Sequence, residues 1–273
     1  MSDGSIFLRF DDVSVRFGET TALDHVSFEI AGGESRIVYG IAGSGKTTLL
    51  KAALGLVKVD SGRIYVFGQD VTDLEESAWF EIRARMGILF QEGGLFDSMT
   101  IAENVAYPLV NSVVYRSSGK RPDDHDVEAK VQETLRFVDL EQTLEKFPSE
   151  LSGGMRRRVG IARAVVTEPP LVLYDSPTAG LDPITANTIV NLILKERDLR
   201  NAAAILVTHR FQDGHLMAKF RYNPSSGQID AAPAKDTSVK TKFFVMNEGR
   251  LVFEGTLAEL KLSQDPYVSK FAK

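Results

Sequence analysis

Hydrophobic and polar residues alternate along the first part of the chain. Between residues 6 and 30, apolar side chains recur at every second position in two stretches: Val13, Val15 and Phe17, then Val26, Phe28 and Ile30. A period of two predicts β-strands that bury one face. Gly18 and the pair Gly32 and Gly33 separate the stretches, as expected of glycines at turns. The first thirty residues are therefore predicted to form strands.

Strand and helix patterns alternate through the rest of the chain. Short apolar or alternating runs predict strands at Ile37–Tyr39, Gly62–Gly68, Met86–Phe90, Leu171–Tyr174 and Ala204–Thr208. Apolar residues on one helical face predict helices from Lys46 to about Leu56, over Val127–Val138, over residues 155–166 and over Ile184–Arg197. Alternation of this kind predicts an α/β fold around a mostly parallel sheet.

Two segments depart from the regular alternation. Residues 92–168 are mainly helical in pattern, which predicts a helical subdomain inserted into the α/β core. Residues 219–242 are polar and rich in Pro, Ser, Asp and Lys. This second segment is predicted to be a surface excursion with a hairpin around Ser226 and Gly227.

Composition narrows the classes of function. The 273 residues are 43% hydrophobic and 25% charged, as in an ordinary globular domain, and they include no cysteine, so disulfides and thiol chemistry are ruled out. The net charge of −5 argues against sequence-independent nucleic-acid binding. The first residues do not show the basic start followed by an apolar run that is typical of a signal peptide. No apolar stretch reaches the roughly 18–20 residues that span a bilayer. A function at a membrane would therefore require a membrane partner.

A glycine-rich loop lies between the strand that ends at Tyr39 and the helix that begins at Lys46. Its spacing matches the G-x-x-x-x-G-K-[ST] pattern of phosphate-binding loops. Glycines let successive backbone N–H groups face one anion, and the helix N-terminus adds positive potential. Lys46 supplies a charge for β- and γ-phosphates, and the Thr47 hydroxyl is a ligand suited to Mg²⁺. The residues predicted to bind the nucleotide here are Gly40, Ile41, Ala42, Gly43, Ser44, Gly45, Lys46, Thr47 and Thr48.

A second metal-binding residue is expected at the end of another strand. Asp175 directly follows the apolar run Leu171–Tyr174. A strand-end aspartate is alone a weak signal, because aspartate also caps helices and forms turns. Together with the phosphate loop, it predicts a Mg²⁺ site that Thr47 and Asp175 share.

The segment Leu151–Met155 reads LSGGM and opens a helix. A serine-capped, glycine-opened helix N-terminus is a second anion site. In this order with the phosphate loop and Asp175, the sequence resembles the ABC ATPases from about Ile6 to Gly255. The resemblance implies a P-loop NTPase with a mostly parallel core sheet, an N-terminal antiparallel β-subdomain and an inserted helical subdomain, followed by a C-terminal helix and tail over 256–273. It also implies that Ser152, Gly153 and Gly154 of one subunit close on the γ-phosphate of ATP held by a second subunit.

Three further positions match the family singly. Phe17 resembles the aromatic residue that stacks on adenine; the alternative is a core strand residue. Gln91 resembles the glutamine that contacts Mg²⁺ or the attacking water and senses the membrane partner. His209, after the strand Ala204–Thr208, resembles the switch histidine at the γ-phosphate. The resemblance thus implies catalytic roles for Gln91 and His209.

Two further polar segments are interpreted by comparison with the ABC ATPases. The segment ending at Asp182, AGLD, resembles the loop that contacts the opposite subunit. Arg156, Arg157 and Arg158 are expected to form a solvated helix face rather than a binding patch.

The residue after Asp175 departs from the family pattern. Ser176 stands where ABC ATPases usually carry the glutamate that orients the attacking water. Serine is shorter and uncharged, and loss of a general base typically costs about 10²–10⁴ in rate. Slow hydrolysis assisted by His209 or Gln91, a degenerate subunit beside a competent one, and a switch driven mainly by binding remain open. We expect slow but measurable ATPase activity.

Three segments resemble a particular group within the family. Gly94–Leu109, Asp182–Thr185 and the tail Asp265–Phe271 look like the Mla-type lipid-transport ATPases, which partner with MCE-domain proteins. The resemblance implies a homodimer on the cytoplasmic face of the inner membrane, under two permease subunits, with a phospholipid-like cargo. A permease helix would dock in a groove around residues 91–109, although core packing is the alternative for Leu95, Phe96 and Met99. The rival functions are a small-solute importer ATPase, a weakly hydrolysing regulatory module, and a soluble ATPase acting on ribosomes or DNA, whose usual basic arms are missing here.

Overall fold

The computed structural model describes residues 5–91, 93–111, 123–233 and 240–272. Parts of three predicted segments lie outside these residues, namely 92 and 112–122 of the helical subdomain, 234–239 of the surface excursion, and the chain ends. The described strands are β1 Ile6–Phe17, β2 Thr20–Ala31, β3 Glu34–Tyr39, β4 Ser61–Val66, β5 Gln69–Asp70, β6 Met86–Leu89, β7 Leu171–Asp175, β8 Ala203–Val207, β9 Phe220–Asn223, β10 Gln228–Ala231, β11 Lys240–Asn247 and β12 Arg250–Gly255.

The described helices surround these strands. They are α1 Lys46–Ala53, α2 Glu76–Arg83, α3 Ile101–Val110, α4 Asp124–Phe137, α5 Gly153–Val165, α6 Pro183–Arg200, α7 Phe211–Lys219 and α8 Leu257–Leu262, with short 3₁₀ helices at Glu141–Thr143, Pro148–Glu150 and Val268–Phe271. No helix in the described part of the chain is both long and apolar enough to span a membrane.

The strands form two large sheets. The core sheet has the order β12-β11-β3-β8-β7-β6, and all its neighbours are parallel except β12. The second sheet is antiparallel, in the order β2-β1-β4-β5. Helices α3 to α5 occupy the predicted inserted segment. The α/β fold with a mostly parallel core sheet and an antiparallel N-terminal subdomain is thus confirmed.

The core sheet is buried on both faces. On β3, Ile37 and Tyr39 face the cluster formed with helices α3 to α6, whereas Val38 faces the cluster shared with the antiparallel sheet. All three side chains are buried. The sequence of a strand that is covered on both faces is a nearly continuous apolar run. This burial places the carboxyl end of β3, where the phosphate loop begins, at one edge of a rigid layer.

Most predicted elements are present with shifted ends. The helix predicted to reach about Leu56 stops at Ala53. Gly55 follows in the left-handed region at φ 63°, and a Cβ there would lie 2.1 Å from the Trp79 ring. Packing of Trp79 therefore ends the helix. The hairpin predicted around Ser226 is present as β9 and β10, which pair Asn223 with Gln228.

A chain of charges connects the helical segment to the core. Lys130 of α4 and Arg200 of α6 both contact Glu168, and the Arg200 Nε atom also donates to Glu196 Oε2 at 3.1 Å. Glu196 is 1% exposed, and its Oε1 atom has no hydrogen-bond partner among the described residues. Burial raises the pKa of Glu196 to about 7 despite the attraction of Arg200. Tyr174 also lies close to this carboxyl group.

Glu196 should make stability depend on pH. Because its pKa is about 7 in the folded protein and 4.5 ordinarily, the folded state binds the extra proton between these values, and stability falls as pH rises through this window. Glu196→Gln removes this loss. From pH 5 to pH 8, we expect the free energy of unfolding of the variant to rise by about 2 kcal/mol relative to that of wild type, as measured by urea unfolding at each pH. Glu133→Gln, at an exposed partner of Lys130, is the control. Parallel pH profiles for Glu196→Gln and wild type would contradict the prediction.

Candidate active site

The phosphate loop joins β3 to α1 with backbone angles that require glycine. Gly40 and Gly45 have φ values of 154° and 102°. A Cβ at Gly40 would lie 2.4 Å from Ser44 Oγ, and one at Gly45 would lie 2.4 Å from the Ala22 carbonyl oxygen. The Ser44 N–H donates to the Ile41 carbonyl at 3.2 Å and closes the turn. The loop is therefore shaped by its own sequence and by the neighbouring strands.

The ammonium group of Lys46 lies inside the loop. Its Nζ atom donates to the carbonyls of Gly40 and Ile41 at 2.8 and 2.6 Å and to Ser44 Oγ at 3.2 Å. Burial lowers the pKa of Lys46, and the negative charge of Asp175 opposes this shift. The side chain is thus held by neutral oxygen atoms in the position where the predicted phosphates would supply negative charge.

Thr47 and Asp175 lie together although 128 residues separate them. The Thr47 hydroxyl donates to Asp175 Oδ2 at 3.1 Å. Mg²⁺ prefers oxygen ligands and keeps several waters, so a hydroxyl beside a carboxylate fits this ion. No cluster of three or more His, Cys, Asp or Glu side chains that could hold a metal ion occurs among the described residues. The donor set suits a Mg²⁺ ion that nucleotide phosphates also ligate.

Ser176 occupies the strained turn that follows β7. It is buried, with φ 50° in the left-handed region, and its N–H donates to the Val207 carbonyl at 2.9 Å. Its hydroxyl donates to Asp175 Oδ1 at 3.2 Å. A non-glycine residue in this region costs about 1–3 kcal/mol and persists where the surrounding structure imposes it. The turn holds residue 176 beside the predicted metal ligand.

His209 is placed against the phosphate loop. Its ring hydrogen-bonds the backbone of Gly40. Burial and the charge of Lys46 lower the pKa of His209, whereas Gly40 and Asp175 act in the opposite direction. The lowered pKa favours the neutral imidazole, in which one ring nitrogen donates a hydrogen bond and the other accepts one.

Asp213 braces the segments around the site, a role that sequence reasoning missed. Its Oδ2 atom accepts from the hydroxyls of Thr178 and Thr208, both at 2.6 Å. Asp213 is fully buried, and burial raises its pKa. The carboxyl group thus links the turn after Ser176 to the residue before His209. No local pattern in the sequence marked this aspartate.

The second predicted anion site has the expected local geometry. Ser152 Oγ accepts from the Met155 N–H at 3.3 Å and caps α5. Ser152 and Gly153 are exposed, and a Cβ at Gly153 would meet nothing within 4 Å. At Gly154 a Cβ would lie 2.5 Å from Thr185 Cγ2, so glycine permits the close approach of α6.

An open cleft joins this site to two other predicted positions. It has a volume of about 420 Å³ and is lined by Gln91, Gly153, Arg156, Arg157, Ala179, Gly180 and Leu181. None of the phosphate-loop residues lines it. The structure therefore brings Gln91, the start of α5 and the 179–181 segment together at one cleft.

Two of the three arginines on α5 do not form a solvated face. Arg157 and Arg158 are half-buried. They donate to the carbonyls of Phe90 and Val138 at 3.3 and 2.8 Å. Only Arg156 is exposed, and it too donates to a carbonyl, that of Leu151. The expected solvated face is wrong at Arg157 and Arg158 because loop carbonyls without helical partners recruit these guanidinium groups.

Phe17 and Asp182 have clear local environments. Phe17 ends β1 with 54% of its surface exposed, so the alternative of a core strand residue is wrong. Asp182 caps α6 by accepting from the N–H groups of Ile184 and Thr185, both at 3.0 Å. A hydrogen bond from the Thr185 hydroxyl lowers the pKa of Asp182 most, and the two backbone hydrogen bonds lower it further. Stacking on adenine and contact with a second subunit stay predictions for these residues.

An apolar groove lies beside Gln91. It encloses about 410 Å³, and its lining includes Phe80, Met86, Ile88, Phe90, Phe96 and Tyr107. The Phe96 and Tyr107 rings are 4.7 Å apart, and Arg163 lies over Phe96 at 5.5 Å. Phe96 is 39% exposed, whereas Leu95 packs partly into the core. The core alternative therefore applies to Leu95 and fails for Phe96.

A family model and several known proteins are similar in sequence to this chain. The family model described as "ABC transporter" matches residues 23–179. The Arabidopsis thaliana protein named "TRIGALACTOSYLDIACYLGLYCEROL 3, chloroplastic" is 32% identical over 99% of this chain and 74% of its own length. "Methionine import ATP-binding protein MetN 2" of Rhodococcus jostii is 38% identical over 93% and 67%. "Probable ribonucleotide transport ATP-binding protein mkl" of Mycobacterium leprae is 36% identical over 71% of this chain, which spans about half of that protein, 54%.

Solved structures share the fold. A dimeric ATP-binding cassette bound to ADP and Pi has a TM-score of 0.74 and 27% identity, over 91% of this chain and 98% of that chain. A nucleotide-free ATP-binding cassette from an ABC transporter has a TM-score of 0.75 and 27% identity, over 98% and 99%.

Proposed function

The chain belongs to the ABC transporter family, and on that premise we propose that it is the motor subunit of a transporter that moves phospholipid or a related apolar cargo across a bacterial envelope. As a member of this family it is an ATPase that uses ATP with Mg²⁺. It works as a homodimer beneath two permease subunits, on the cytoplasmic face of the membrane. An MCE-domain protein is the proposed further partner.

The proposed roles at the site follow from its geometry. Lys46 neutralises the β- and γ-phosphates, and Thr47 and Asp175 hold Mg²⁺, which when bound stabilises charge on the phosphate oxygens. His209, neutral and hydrogen-bonded to Gly40, contacts the γ-phosphate and the attacking water. Ser176 provides a hydroxyl in place of a carboxylate, so hydrolysis is slow. Phe17 offers an exposed ring to adenine.

The apolar groove beside Gln91 is the single observation that supports the motor function best. Exposed aromatic rings that line a concave surface are typical of a helix-binding site. Phe90, which directly precedes Gln91, lines the groove, so a shift of Gln91 on hydrolysis would reach a permease helix bound there. For the cargo, support comes from the Gly94–Leu109 and tail motifs and from the Arabidopsis relative, whose name contains that of a galactolipid.

Isolation of the membrane complex tests this proposal. The chain is tagged in its native cells, and the detergent-extracted complex is analysed by protein and lipid mass spectrometry. We expect permease and MCE-domain subunits and enriched phospholipid. Phe96→Asp should reduce the recovered permease by about tenfold or more, since it buries a charge in an apolar contact. Val252→Asp, at a similarly exposed apolar residue of β12, should not.

A small-solute importer is the second candidate. The MetN 2 relative, at 38% identity, favours it. A complex that contains a solute permease and no MCE-domain protein or enriched lipid would contradict the lipid proposal and support this one. Unchanged permease recovery with Phe96→Asp would contradict the role of the groove.

A further inference from the structure

The C-terminal tail is fixed against the core sheet. Asp265 Oδ1 accepts from the N–H groups of Tyr267 and Val268 at 2.7 and 3.0 Å, which sets the turn that leads into the last 3₁₀ helix. Val268 is 1% exposed. The Phe271 ring stacks on Tyr39 with centroids 5.9 Å apart and planes at 9°. The tail therefore has a defined seat beside the last residue of β3.

The hydroxyl of Tyr267 reaches the phosphate loop. It donates to the Met246 carbonyl at 3.0 Å and accepts from the Ile41 N–H at 3.3 Å. Ile41 is the second residue of the loop, and Tyr39, on which Phe271 stacks, directly precedes the first. The tail thus contacts the chain on both sides of Gly40.

The backbone of Gly40 and Ile41 also hydrogen-bonds Lys46 and His209 of the candidate site. The Gly40 carbonyl accepts from Lys46 Nζ at 2.8 Å, and His209 also hydrogen-bonds the Gly40 backbone. The Ile41 carbonyl accepts from Lys46 Nζ at 2.6 Å. Rotation of the Gly40–Ile41 peptide would therefore move the Gly40 carbonyl, which accepts from Lys46, and the Gly40 backbone that His209 contacts. Gly40 offers little resistance to such a rotation, because glycine has no Cβ.

We propose that Tyr267 is a positioning residue of the ATP site: its hydroxyl fixes the Gly40–Ile41 peptide and makes the C-terminal tail part of the nucleotide-binding machinery. Without this hydrogen bond the loop retains its glycines and Lys46 but samples more backbone orientations, so ATP binding has to order it. The inference rests on ATP binding at the loop, and it does not depend on the cargo.

Removal of one oxygen atom tests the inference. Tyr267→Phe keeps the ring, whose edge contacts Phe271 at 5.4 Å between centroids, and removes both hydrogen bonds of the hydroxyl. We expect the Kd for Mg-ATP, measured by calorimetry on the full chain, to rise about three- to tenfold. Hydrogen exchange should accelerate in the peptide that contains Ile41. The matched control is Tyr222→Phe on β9, whose backbone N–H donates to Asp198 and whose ring lies below Lys195.

The outcomes separate this inference from a purely structural role. Weaker ATP binding and faster exchange at Ile41, with an unchanged melting temperature, would support it. A lower melting temperature with faster exchange across the whole tail but unchanged ATP affinity would overturn it, as would a Tyr267→Phe variant identical to wild type. Wild type and Lys46→Ala are measured alongside. If wild type itself fails to bind Mg-ATP, the nucleotide site fails and the inference with it; if wild type binds and Tyr267→Phe binds equally, only the inference fails.

Discussion

Replacing Ser176 with glutamate is expected to raise ATP turnover by about tenfold to a hundredfold, because a carboxylate can accept a proton from water where a serine hydroxyl cannot. The left-handed backbone at φ 50° is equally demanding for either side chain, so the turn itself is little altered. The glutamate starts next to Asp175 and near His209, the predicted switch histidine, where the attacking water would lie. Phosphate release from the purified dimer, measured at saturating Mg-ATP, reports the effect.

Two control variants separate the effect of the added carboxylate from other effects on turnover. Ser176→Gln has nearly the shape of glutamate without the charge, so it should not accelerate turnover. Lys46→Ala defines the background, because it removes the charge that meets the phosphates. No gain with Ser176→Glu would show that the base does not limit hydrolysis. Wild-type turnover equal to that of Lys46→Ala would eliminate slow hydrolysis and leave a degenerate subunit or a binding switch.

The phosphate loop could be predicted from sequence because its determinants are local. Glycine at positions 40 and 45 is required by backbone angles and by neighbours within van der Waals contact, and the pattern of residues records this directly. The pairing of Thr47 with Asp175 could also be expected, since the carboxyl ends of parallel strands lie at one edge of a sheet. The fold class followed from the same alternation of strands and helices.

Other features depend on contacts between distant segments and leave little local trace. Strand β11 pairs in parallel with β3, about two hundred residues earlier, and its apolar run lies directly after the polar excursion. The buried Asp213 looks like an ordinary helix residue until Thr178 and Thr208 are placed beside it. Tyr267 meets Ile41 across 226 residues. The sequence marked the tail only through its family resemblance.

The two predicted anion sites are expected to meet across the interface of a dimer. Ser152 and Gly153 are exposed and open onto a cleft that contains no phosphate-loop residue. A solved cassette of similar fold is a dimer with ADP and Pi. If each complete site consists of one subunit's loop and the other subunit's α5 N-terminus, defects in the two halves should complement each other.

A heterodimer of two inactive variants is expected to regain about half of the wild-type turnover, since one of the two symmetry-related sites is then intact. Lys46→Ala should lower turnover by about a hundredfold or more by removing phosphate-stabilising charge. Gly153→Asp should do the same, because in this arrangement its carboxylate would face the γ-phosphate, and like charges in contact cost several kcal/mol. The substitution should still fold: a Cβ at Gly153 meets nothing within 4 Å, and a negative charge suits a helix N-terminus.

The complementation is measured with differently tagged variants, co-expressed and purified through both tags, using radiolabelled ATP. One site of this heterodimer carries both defects, and the other pairs an intact Lys46 with an intact Gly153. Gly153→Asn, of similar size but uncharged, should lose much less activity than Gly153→Asp as a homodimer. If each subunit instead completed its own site, every site in the mixed dimer would carry one defect. Turnover would then stay at the level of the parents, and the head-to-tail arrangement of the two anion sites would be wrong.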